Sequence, residues 1–286
     1  MEELLARYEL EPSLRDVYTE GPSDRQRVQH FLRAHKVGDV GVYEVDTVDV
    51  PYEFDPGGGQ ESGQRQRLIA LGVQLQERCR VGLQRRVACI VDADSDYLFG
   101  YTEESPLVLR TDYCALELYA FDEGLLAKFV DLVLLGLPFE ARDVLNGMTE
   151  TLQQLFYFRA ANRRLRLGLS WLSPERCCSL DGSVVRLDEE DFLRRYLNKS
   201  AKLDRLEEFR RACEEVRAAG RDLERRRCIH GHDFVELLRW YVEQVKNTRY
   251  APVLFERSLW ACVDVKGLGG ERLFATLLER FLGRGQ

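Results

Sequence analysis

The sequence predicts an α/β fold, with a parallel sheet flanked by helices and followed by a mainly helical C-terminal portion. In roughly the first 120 residues, short apolar runs rich in β-branched side chains alternate with amphipathic helical patterns. This β-α-β-α-β order favours parallel strands joined by right-handed crossovers. From about residue 122 onward, the apolar residues recur mostly at helical spacing. We therefore divide the chain into an α/β part, residues 1–121, and a mainly helical part, residues 122–286.

Six elements account for the first part. In chain order they are a strand at Leu14–Thr19, a helix with its stripe at Val28, Phe31, Leu32 and His35, a strand at Val40–Val45, a helix marked by Leu68, Leu71, Leu75 and Cys79, and strands at Val87–Val91 and Leu107–Leu109. Ser23 is placed to cap the first helix, and Gln26 would complete a capping box. Val87–Val91 is apolar at every position, as expected of a strand buried on both faces. The Gly57–Gly59 run lacks a following G-K-[ST] and is therefore interpreted as a surface loop, not a phosphate loop.

The second part is interpreted as helices with one turn near its middle. The positions that mark the helices are Leu152, Leu155, Phe156 and Arg159; Leu203, Leu206, Phe209, Cys213 and Val216; Phe234, Leu237, Leu238, Tyr241 and Val245; and Leu273, Phe274, Leu277, Leu278 and Phe281. Asp181-Gly182-Ser183 is typical of a turn beside a short strand.

Composition limits the class of protein. The 286 residues carry 41 Lys and Arg against 48 Asp and Glu, a net charge of −7, which argues against a protein that coats DNA or anionic membranes but leaves room for a local basic patch. The longest apolar stretch, residues 125–139, is interrupted by Lys128 and Asp131 and predicts no membrane span. The first residues lack the basic region of a signal peptide, and the eight cysteines include no C-x-x-C pair. We expect reduced thiols in a cytoplasmic protein with no membrane contact.

Acidic residues follow two of the predicted strands. Glu20 ends the first strand and Asp24 lies in the first turn of the next helix, whereas Asp92 and Asp94 follow the buried strand Val87–Val91. Because parallel strands bring their carboxyl ends to one edge of a sheet, these side chains should converge. Crowded carboxylates raise one another's pKa unless a cation neutralises them, and Mg²⁺ or Mn²⁺ prefers such oxygen ligands. The alternatives are an Asp24 that only favours the helix N-terminus and an exposed Asp-rich turn.

Together these two acidic groups resemble the TOPRIM domain, in which an acidic residue follows the first strand and D-x-D follows a later one. Glu20 matches the first position, and Asp92 and Asp94 match the second. The E-G-x-S-D form of residues 20–24 is more similar to OLD-family nucleases than to topoisomerases or primases. The chain most resembles small stand-alone TOPRIM proteins that act with a separate ATPase in PARIS-type anti-phage defence, which also share the pattern of Thr111–Glu117. The resemblance covers about residues 14 to 121.

The resemblance implies a Mg²⁺- or Mn²⁺-dependent nuclease that cleaves phosphodiester bonds with two ions. Glu20 and Asp24 would hold one ion, and Asp92 and Asp94 the other or a bridging position. Glu20 would be catalytic, and Glu117 would complete the site or act as a base, unless it is only the polar face of a helix. The implied substrate is a nucleic acid, with structured RNA such as tRNA as one option, and the implied role is that of a toxic effector in defence.

The resemblance also implies a separate ATPase partner, which fits the absence of a Walker motif from the sequence, and a homodimer stays open. Two other functions compete: a non-catalytic TOPRIM-like subunit that binds or regulates an ATPase complex, and a phosphatase-like hydrolase acting on small phosphate esters. Related nucleases often supply a lysine to the phosphate, but no lysine here is convincingly placed. An arginine, for example from Arg225–Arg227, could replace it.

Other motifs have simpler explanations beside the functional ones. Cys228, His230 and His232 would share one side of a strand and suggest zinc, whereas the alternative is a loop in which His232 or Asp233 caps a helix beginning near Phe234. Arginine clusters could bind phosphate, with aromatic residues available for stacking, or could form a solvated helix face. These residues are Arg163, Arg164, Arg166, Arg194, Arg195, Arg210, Arg211 and residues 221–227, with Tyr157, Phe158 and Trp171 for stacking. The sequence does not fix which of them binds nucleic acid.

Overall fold

The computed structural model describes residues 1–50, 63–101 and 105–282, which form eleven α-helices and six β-strands. The helices are α1 (Glu2–Leu10), α2 (Pro22–Ala34), α3 (Gly63–Arg78), α4 (Asp96–Phe99), α5 (Glu123–Phe129), α6 (Ala141–Leu165), α7 (Glu189–Lys199), α8 (Leu206–Ala219), α9 (Gly231–Lys246), α10 (Pro252–Ala261) and α11 (Arg272–Leu282). The strands are β1 (Asp16–Thr19), β2 (Gly41–Glu44), β3 (Val87–Val91), β4 (Val108–Arg110), β5 (Cys178–Asp181) and β6 (Val184–Leu187). The loop predicted at Gly57–Gly59 lies outside the described residues.

The first four strands form one parallel sheet in the order β2-β1-β3-β4. Asp16 of β1 lies opposite Gly41 of β2 on one side and Val87 of β3 on the other. The chain therefore crosses from β1 to β2 in one direction and then returns past β1 to build β3. This makes the carboxyl ends of β1 and β3 the topological switch point, where open α/β sheets usually bind ligands. The predicted α/β class with a parallel sheet is confirmed.

Both faces of the sheet are covered by helices. Because strand side chains alternate, Val17 and Ile90 join a core with α2, whereas Tyr18 and Cys89 join a second core with α3. All five residues of β3 are buried, as the uninterrupted apolar run predicted. This burial fixes the ends of β1 and β3 firmly beside each other.

The C-terminal part is mainly helical, as predicted, and includes the antiparallel hairpin of β5 and β6. Gly182 in its turn has φ +62°, a conformation that favours glycine. The larger core contains residues on both sides of position 122, such as Ile90 of β3 and Phe274 of α11. The division into domains at that position stays a prediction.

Two predicted helix starts are wrong. The capping box at Ser23 and Gln26 does not form, because Pro22, whose fixed φ suits the first helical position, starts α2 and leaves Gly21 as the cap residue. Helix α9 begins at Gly231 and not near Phe234, and its cap residue makes no side-chain capping bond. Helices α1, α7 and α10 are not among the elements that the sequence predicts.

All eight cysteines are free thiols, and six of them are buried. In the described part of the chain, no helix combines the length and apolar character needed to cross a bilayer.

Candidate metal centre

The sheet edge brings together the two acidic residues that follow β1 and β3. The backbone amide of Asp92 donates a hydrogen bond to Glu20 Oε1 at 2.9 Å. The Asp92 carboxylate accepts a bond from the Leu116 amide at 3.2 Å. Glu20 and Asp92 are 72 positions apart in the sequence. The sheet brings them into contact because the strands that they follow, β1 and β3, are neighbours at its switch point.

Asp94 lies beside them and is oriented by an unusual backbone conformation. Its φ of +46° is one that aspartate tolerates better than most residues, and its amide donates to Cys114 O at 2.8 Å. Arg65 Nε of α3 lies 3.5 Å from Asp94 Oδ2. The next acid, Asp96, is buried against Arg65 and Arg110 and has a structural role.

Asp24 and Glu117 meet on the other side of the cluster around a buried guanidinium. Arg27 Nη1 lies 2.6 Å from Glu117 Oε1 and 3.2 Å from Asp24 Oδ1. Its Nη2 binds Glu256 of α10, and its guanidinium lies over the Trp260 ring at 4.8 Å. Arg27 is only 5% exposed. Glu117 therefore joins the predicted group, but through an arginine that the sequence analysis missed.

The N-terminus of α9 closes the cluster from above Glu117. A Cβ built on Gly231 would lie 2.5 Å from Glu117 Oε2, which shows how closely the helix end approaches the carboxylate. The positive end of a helix favours a nearby negative charge. The 3-10 turn Leu116–Ala120 thus places Glu117 between Arg27 and α9. Glu117 is buried there, so the alternative that it is only the polar face of a helix is wrong.

The pKa values reflect this crowding. Burial, with added repulsion from Asp94 and Asp24, raises the pKa of Glu20 to about 8, although the hydrogen bond from the Asp92 amide acts to lower it. Burial and then Glu20 raise the pKa of Asp92 well above its usual range. Burial and Glu117 also raise the pKa of Asp24 to about 6. Burial opposes ionisation of Glu117 as well, but Arg27 and His232 together lower its pKa to about 2.

Negative charge exceeds positive charge around this sheet edge. Among the described residues, seven carboxylates (Glu20, Asp24, Asp92, Asp94, Asp96, Glu117 and Glu256) face four guanidinium groups (Arg27, Arg65, Arg110 and Arg163). The excess is carried mainly by Glu20 and Asp92, whose raised pKa values indicate that protons or a cation must balance them. A hard divalent cation with oxygen ligands fits this donor set.

The side chains are not already arranged around an ion. Within residues 1–50, 63–101 and 105–282, no three His, Cys, Asp or Glu side chains are positioned to hold a metal. The hydrogen bonds explain this finding, because Glu20 and Asp92 bind backbone amides whereas Asp24 and Glu117 bind Arg27.

A cavity of about 360 Å³ opens from Glu20, Asp92 and Asp94 toward the helical part of the chain. Its opposite wall contains basic and aromatic side chains: Arg159 and Arg163 of α6, Trp171, Tyr196 of α7, and His230 and His232. In the sequence, Arg159 lies on the apolar stripe of its helix, and no function is predicted for it there. A charged residue on an apolar stripe is the signal that could have identified this wall.

Two of the arginine clusters that could bind phosphate do not line this cavity. Arg225, Arg226 and Arg227 stack on Phe121, Tyr113 and Tyr97 and are not among the residues that line the cavity. Arg194 and Arg195 pair with acids four positions earlier, as expected of a solvated helix face.

The strand required for a zinc site is not present at residues 228–232. Cys228 ends a 3-10 turn and lies 3.7 Å from Gly220 O, whereas His232 lies in the first turn of α9. Asp233, expected as a possible cap, instead binds Arg159 through both carboxylate oxygens, at 2.7 and 2.8 Å.

Of the aromatic residues suggested for stacking, only Trp171 lies at the cavity in a partly exposed position. Tyr157 and Phe158 are buried and do not line this cavity, so their use for stacking on bases stays a prediction.

Comparison with protein-family models and with curated proteins gave no match to the chain. The site is therefore interpreted from its own geometry.

Proposed function

We propose that this protein is a TOPRIM-like nuclease of the OLD-like group that cleaves phosphodiester bonds of nucleic acid with Mg²⁺ or Mn²⁺. The observation that carries the proposal is the 2.9 Å contact between Glu20 and the Asp92 amide at the switch point of a parallel sheet. Their raised pKa values add the need for positive charge at that point.

Glu20, Asp92 and Asp94 are the residues that would hold metal, and Asp24 would join them if it left Arg27. Bound Mg²⁺ or Mn²⁺, with two ions expected, would supply an activated water and stabilise the leaving oxygen. Glu20 would be catalytic in this proposal as one of these metal ligands. Burial raises the pKa of its metal-free carboxyl to about 8, which favours a cation or a proton beside it.

Glu117 has a different role in this proposal. A carboxylate whose pKa is lowered to about 2 by Arg27 and His232, against its burial, has little tendency to accept a proton at neutral pH. We therefore favour Glu117 as a positioning residue that orients Arg27 and Asp24, over its use as a base.

The biological setting rests on the resemblance alone. It includes a structured RNA such as tRNA as substrate, a toxic effector role in anti-phage defence in the cytoplasm, and a separate ATPase that holds the nuclease inactive. A homodimer is compatible with each of these. Both the free chain and its complex with such an ATPase belong in the tests.

The deciding experiment compares wild-type protein with Glu20→Gln and Asp92→Asn on labelled RNA and DNA, with Mg²⁺, Mn²⁺ or EDTA. We expect metal-dependent cleavage that falls at least about 100-fold in both variants. Glu44→Gln is the matched control, because Glu44 ends the neighbouring strand β2 but pairs with Arg25 outside the cluster. Cleavage by the two variants at the wild-type rate would contradict the assignment, and so would an inert wild type, alone and with an ATPase partner.

One observation favours the non-catalytic alternative, a TOPRIM-like subunit that binds or regulates an ATPase complex. Arg27 pairs with both Asp24 and Glu117, so part of the negative charge of the cluster is balanced without metal. Calorimetric titration with Mn²⁺ separates the two functions. A regulatory subunit would bind no ion at millimolar Mn²⁺. The nuclease would bind Mn²⁺ as wild type, and the Asp92→Asn variant would lose this binding.

A further inference from the structure

The cavity beside the carboxylates has two chemically different ends. At the sheet edge it is lined by Glu20, Asp92 and Asp94, and Arg163 lies next to them because its Nη1 donates to Ser95 Oγ at 2.6 Å. Away from the sheet its lining is mainly apolar and aromatic. That end consists of Phe156, Ala160, Leu169, Trp171 and Tyr196.

The aromatic end is rigid. The Trp171 ring contacts Tyr196 edge to face with the ring centroids 5.3 Å apart, and the Arg159 guanidinium lies over the Trp171 ring, 3.5 Å from its centroid. Arg159 is itself fixed by its two bonds to Asp233, whose side chain is fully buried. Such preorganisation lowers the entropy cost of binding a ligand.

Two buried polar atoms on residues of this wall have no hydrogen-bond partner within the described part of the chain. They are Trp171 Nε1 and His230 Nδ1. A buried polar atom without a partner is costly, and it commonly marks a place where water or a ligand binds. Burial and Arg159 lower the pKa of His230 to about 3, so its imidazole is neutral near pH 7. The two atoms therefore suit hydrogen bonds to an uncharged group.

We propose that this cavity is a nucleotide subsite that binds one unpaired nucleotide of the substrate next to the scissile phosphate. Arg163 contacts its phosphate at the carboxylate end, and Trp171 and His230 bind its base and sugar at the aromatic end. This inference rests on the proposed nuclease function and names the feature of the nucleic acid that the site requires. The volume, about 360 Å³, lies near the lower end of the range of small-molecule sites, which suits a single nucleotide. The substrate is therefore cut where a base is unstacked, as in a loop, a bulge or a single strand.

In this subsite Arg163 takes the place of the lysine that related nucleases often supply to the phosphate. Arg163 lies on α6 four positions after Arg159, so both face the cavity from one side of the helix. A guanidinium can bind two phosphate oxygens at once, which a lysine cannot do. Arg163 also contacts Asp96 at 3.5 Å, and Asp96 is already bound by Arg65 and Arg110.

The test measures binding apart from turnover, by calorimetry on the full chain with Ca²⁺ in place of Mg²⁺ or Mn²⁺, because metal-free carboxylates would repel the phosphate of the probe. The probes are AMP, UMP, their deoxy forms, and four-nucleotide single strands of RNA and DNA. We expect the single strands to bind wild-type protein, with Arg163→Gln weakening binding at least tenfold and Trp171→Phe weakening it three- to tenfold. Arg164→Gln is the matched control, because Arg164 is the next residue but pairs with Glu215 on the surface; it should change binding less than twofold. Thermal denaturation would confirm that each variant is folded.

Each outcome decides the proposal. If no probe binds at millimolar concentration, or if Arg163→Gln and Trp171→Phe bind as wild type does, the subsite is rejected. Mononucleotide binding with no gain from the longer strands would also reject it, and would indicate a site for free nucleotides. A preference for the ribose probes would identify RNA as the source. If the probes bind as predicted but the protein cleaves no nucleic acid, the subsite is supported and the nuclease function is overturned. If the protein cleaves nucleic acid but the probes do not bind, the nuclease function is supported and the subsite is rejected.

Discussion

Arg27 shows at the scale of one residue how a fixed cation and a mobile one compete for the same carboxylates. It contacts Asp24, Glu117 and Glu256 while being 5% exposed. Removing one partner from a buried ionic group leaves the others uncompensated, which is far more costly than the pair is stabilising. A divalent ion could supply positive charge to Asp24 and Glu117 in place of Arg27.

We therefore predict that Arg27→Gln lowers the free energy of unfolding by about 3–5 kcal/mol and that millimolar Mg²⁺ restores part of the loss. Chemical denaturation with and without Mg²⁺ measures both effects. Arg25→Gln is the control, since Arg25 is 38% exposed and lies 3.5 Å from Glu44; it should change stability by less than about 1 kcal/mol. If Mg²⁺ stabilises wild type and Arg27→Gln equally, the two cations do not compete.

His230 gives a pH dependence whose sign follows from its environment. Burial, Arg159 and His232 lower its pKa to about 3, while Asp233 and Glu117 act in the opposite direction. In the unfolded chain a histidine takes up a proton near pH 6.5. Between pH 6.5 and 3 the unfolded state therefore binds more protons than the folded state, and stability falls as the pH is lowered through this window.

Between pH 7.5 and pH 5.5, we predict that the free energy of unfolding falls by roughly 1 kcal/mol more in wild type than in His230→Gln. Urea denaturation at the two pH values measures the difference, and the carboxylates cancel because they are common to both proteins. His30→Gln, which changes an exposed histidine of α2, should leave the wild-type dependence unchanged. An identical slope for wild type and His230→Gln would mean that His230 takes up its proton over the same pH range in the folded protein as in the unfolded chain, so that its pKa is not lowered.

The sequence predicts Glu20 and Asp92 because each directly follows an apolar strand, and strand ends are recognisable from local pattern. It does not predict Arg27, and it names Arg163 only as one of several arginines that could bind phosphate, because nothing near these two residues distinguishes them from Arg25 or Arg164. Their partners lie on elements distant in sequence, and only the packed fold brings them together.

Helix α9 illustrates the same limit at the scale of an element. Its apolar stripe from Phe234 onward is clear in the sequence, whereas its first turn is polar and lies against Glu117. The start at Gly231 is set by this close approach, which no periodicity reports. Glycine is required there for space, because a Cβ would lie 2.9 Å from the Ala115 Cβ as well as 2.5 Å from Glu117 Oε2.

Gly231→Ala should consequently destabilise the protein by about 1–3 kcal/mol, although alanine ordinarily favours a helix over glycine. It should also weaken Mn²⁺ binding, because Glu117 and Arg27 must shift. Thermal unfolding and calorimetric titration measure these effects. Gly38→Ala, which would meet nothing within 4 Å, should stay within about 0.5 kcal/mol of wild type. A stabilising Gly231→Ala would show that the α9 terminus does not press on Glu117.

For the whole molecule, local pattern predicts the parallel sheet and its acidic edge but not the strand order β2-β1-β3-β4. Hydrophobic runs identify strands without saying which neighbour each will pair with. The acidic residues converge all the same, because every parallel strand ends at the same edge. The basic wall of the cavity depends on how α6 and α9 pack against that edge, which requires the complete fold.

The dependence of the sheet edge on the C-terminal part gives the last prediction. Asp112 accepts a bond from the Leu273 amide at 3.0 Å, Tyr113 donates to Glu271 at 2.9 Å, and Cys114 donates to Arg226 O at 3.3 Å. A fragment of residues 1–121 would lose these partners and expose the core that it shares with α6, α9 and α11. We expect it to lack a cooperative thermal transition and to bind no Mn²⁺.

Circular dichroism during heating, gel filtration and titration with Mn²⁺ measure these properties in the fragment. Co-expression of residues 1–121 with residues 122–286 is the control, and it should yield a complex that unfolds cooperatively because the shared core can form between two chains. A sharp unfolding transition for residues 1–121 alone would establish an independent domain with its boundary near residue 122. The contacts across that boundary would then be a docking interface between two domains.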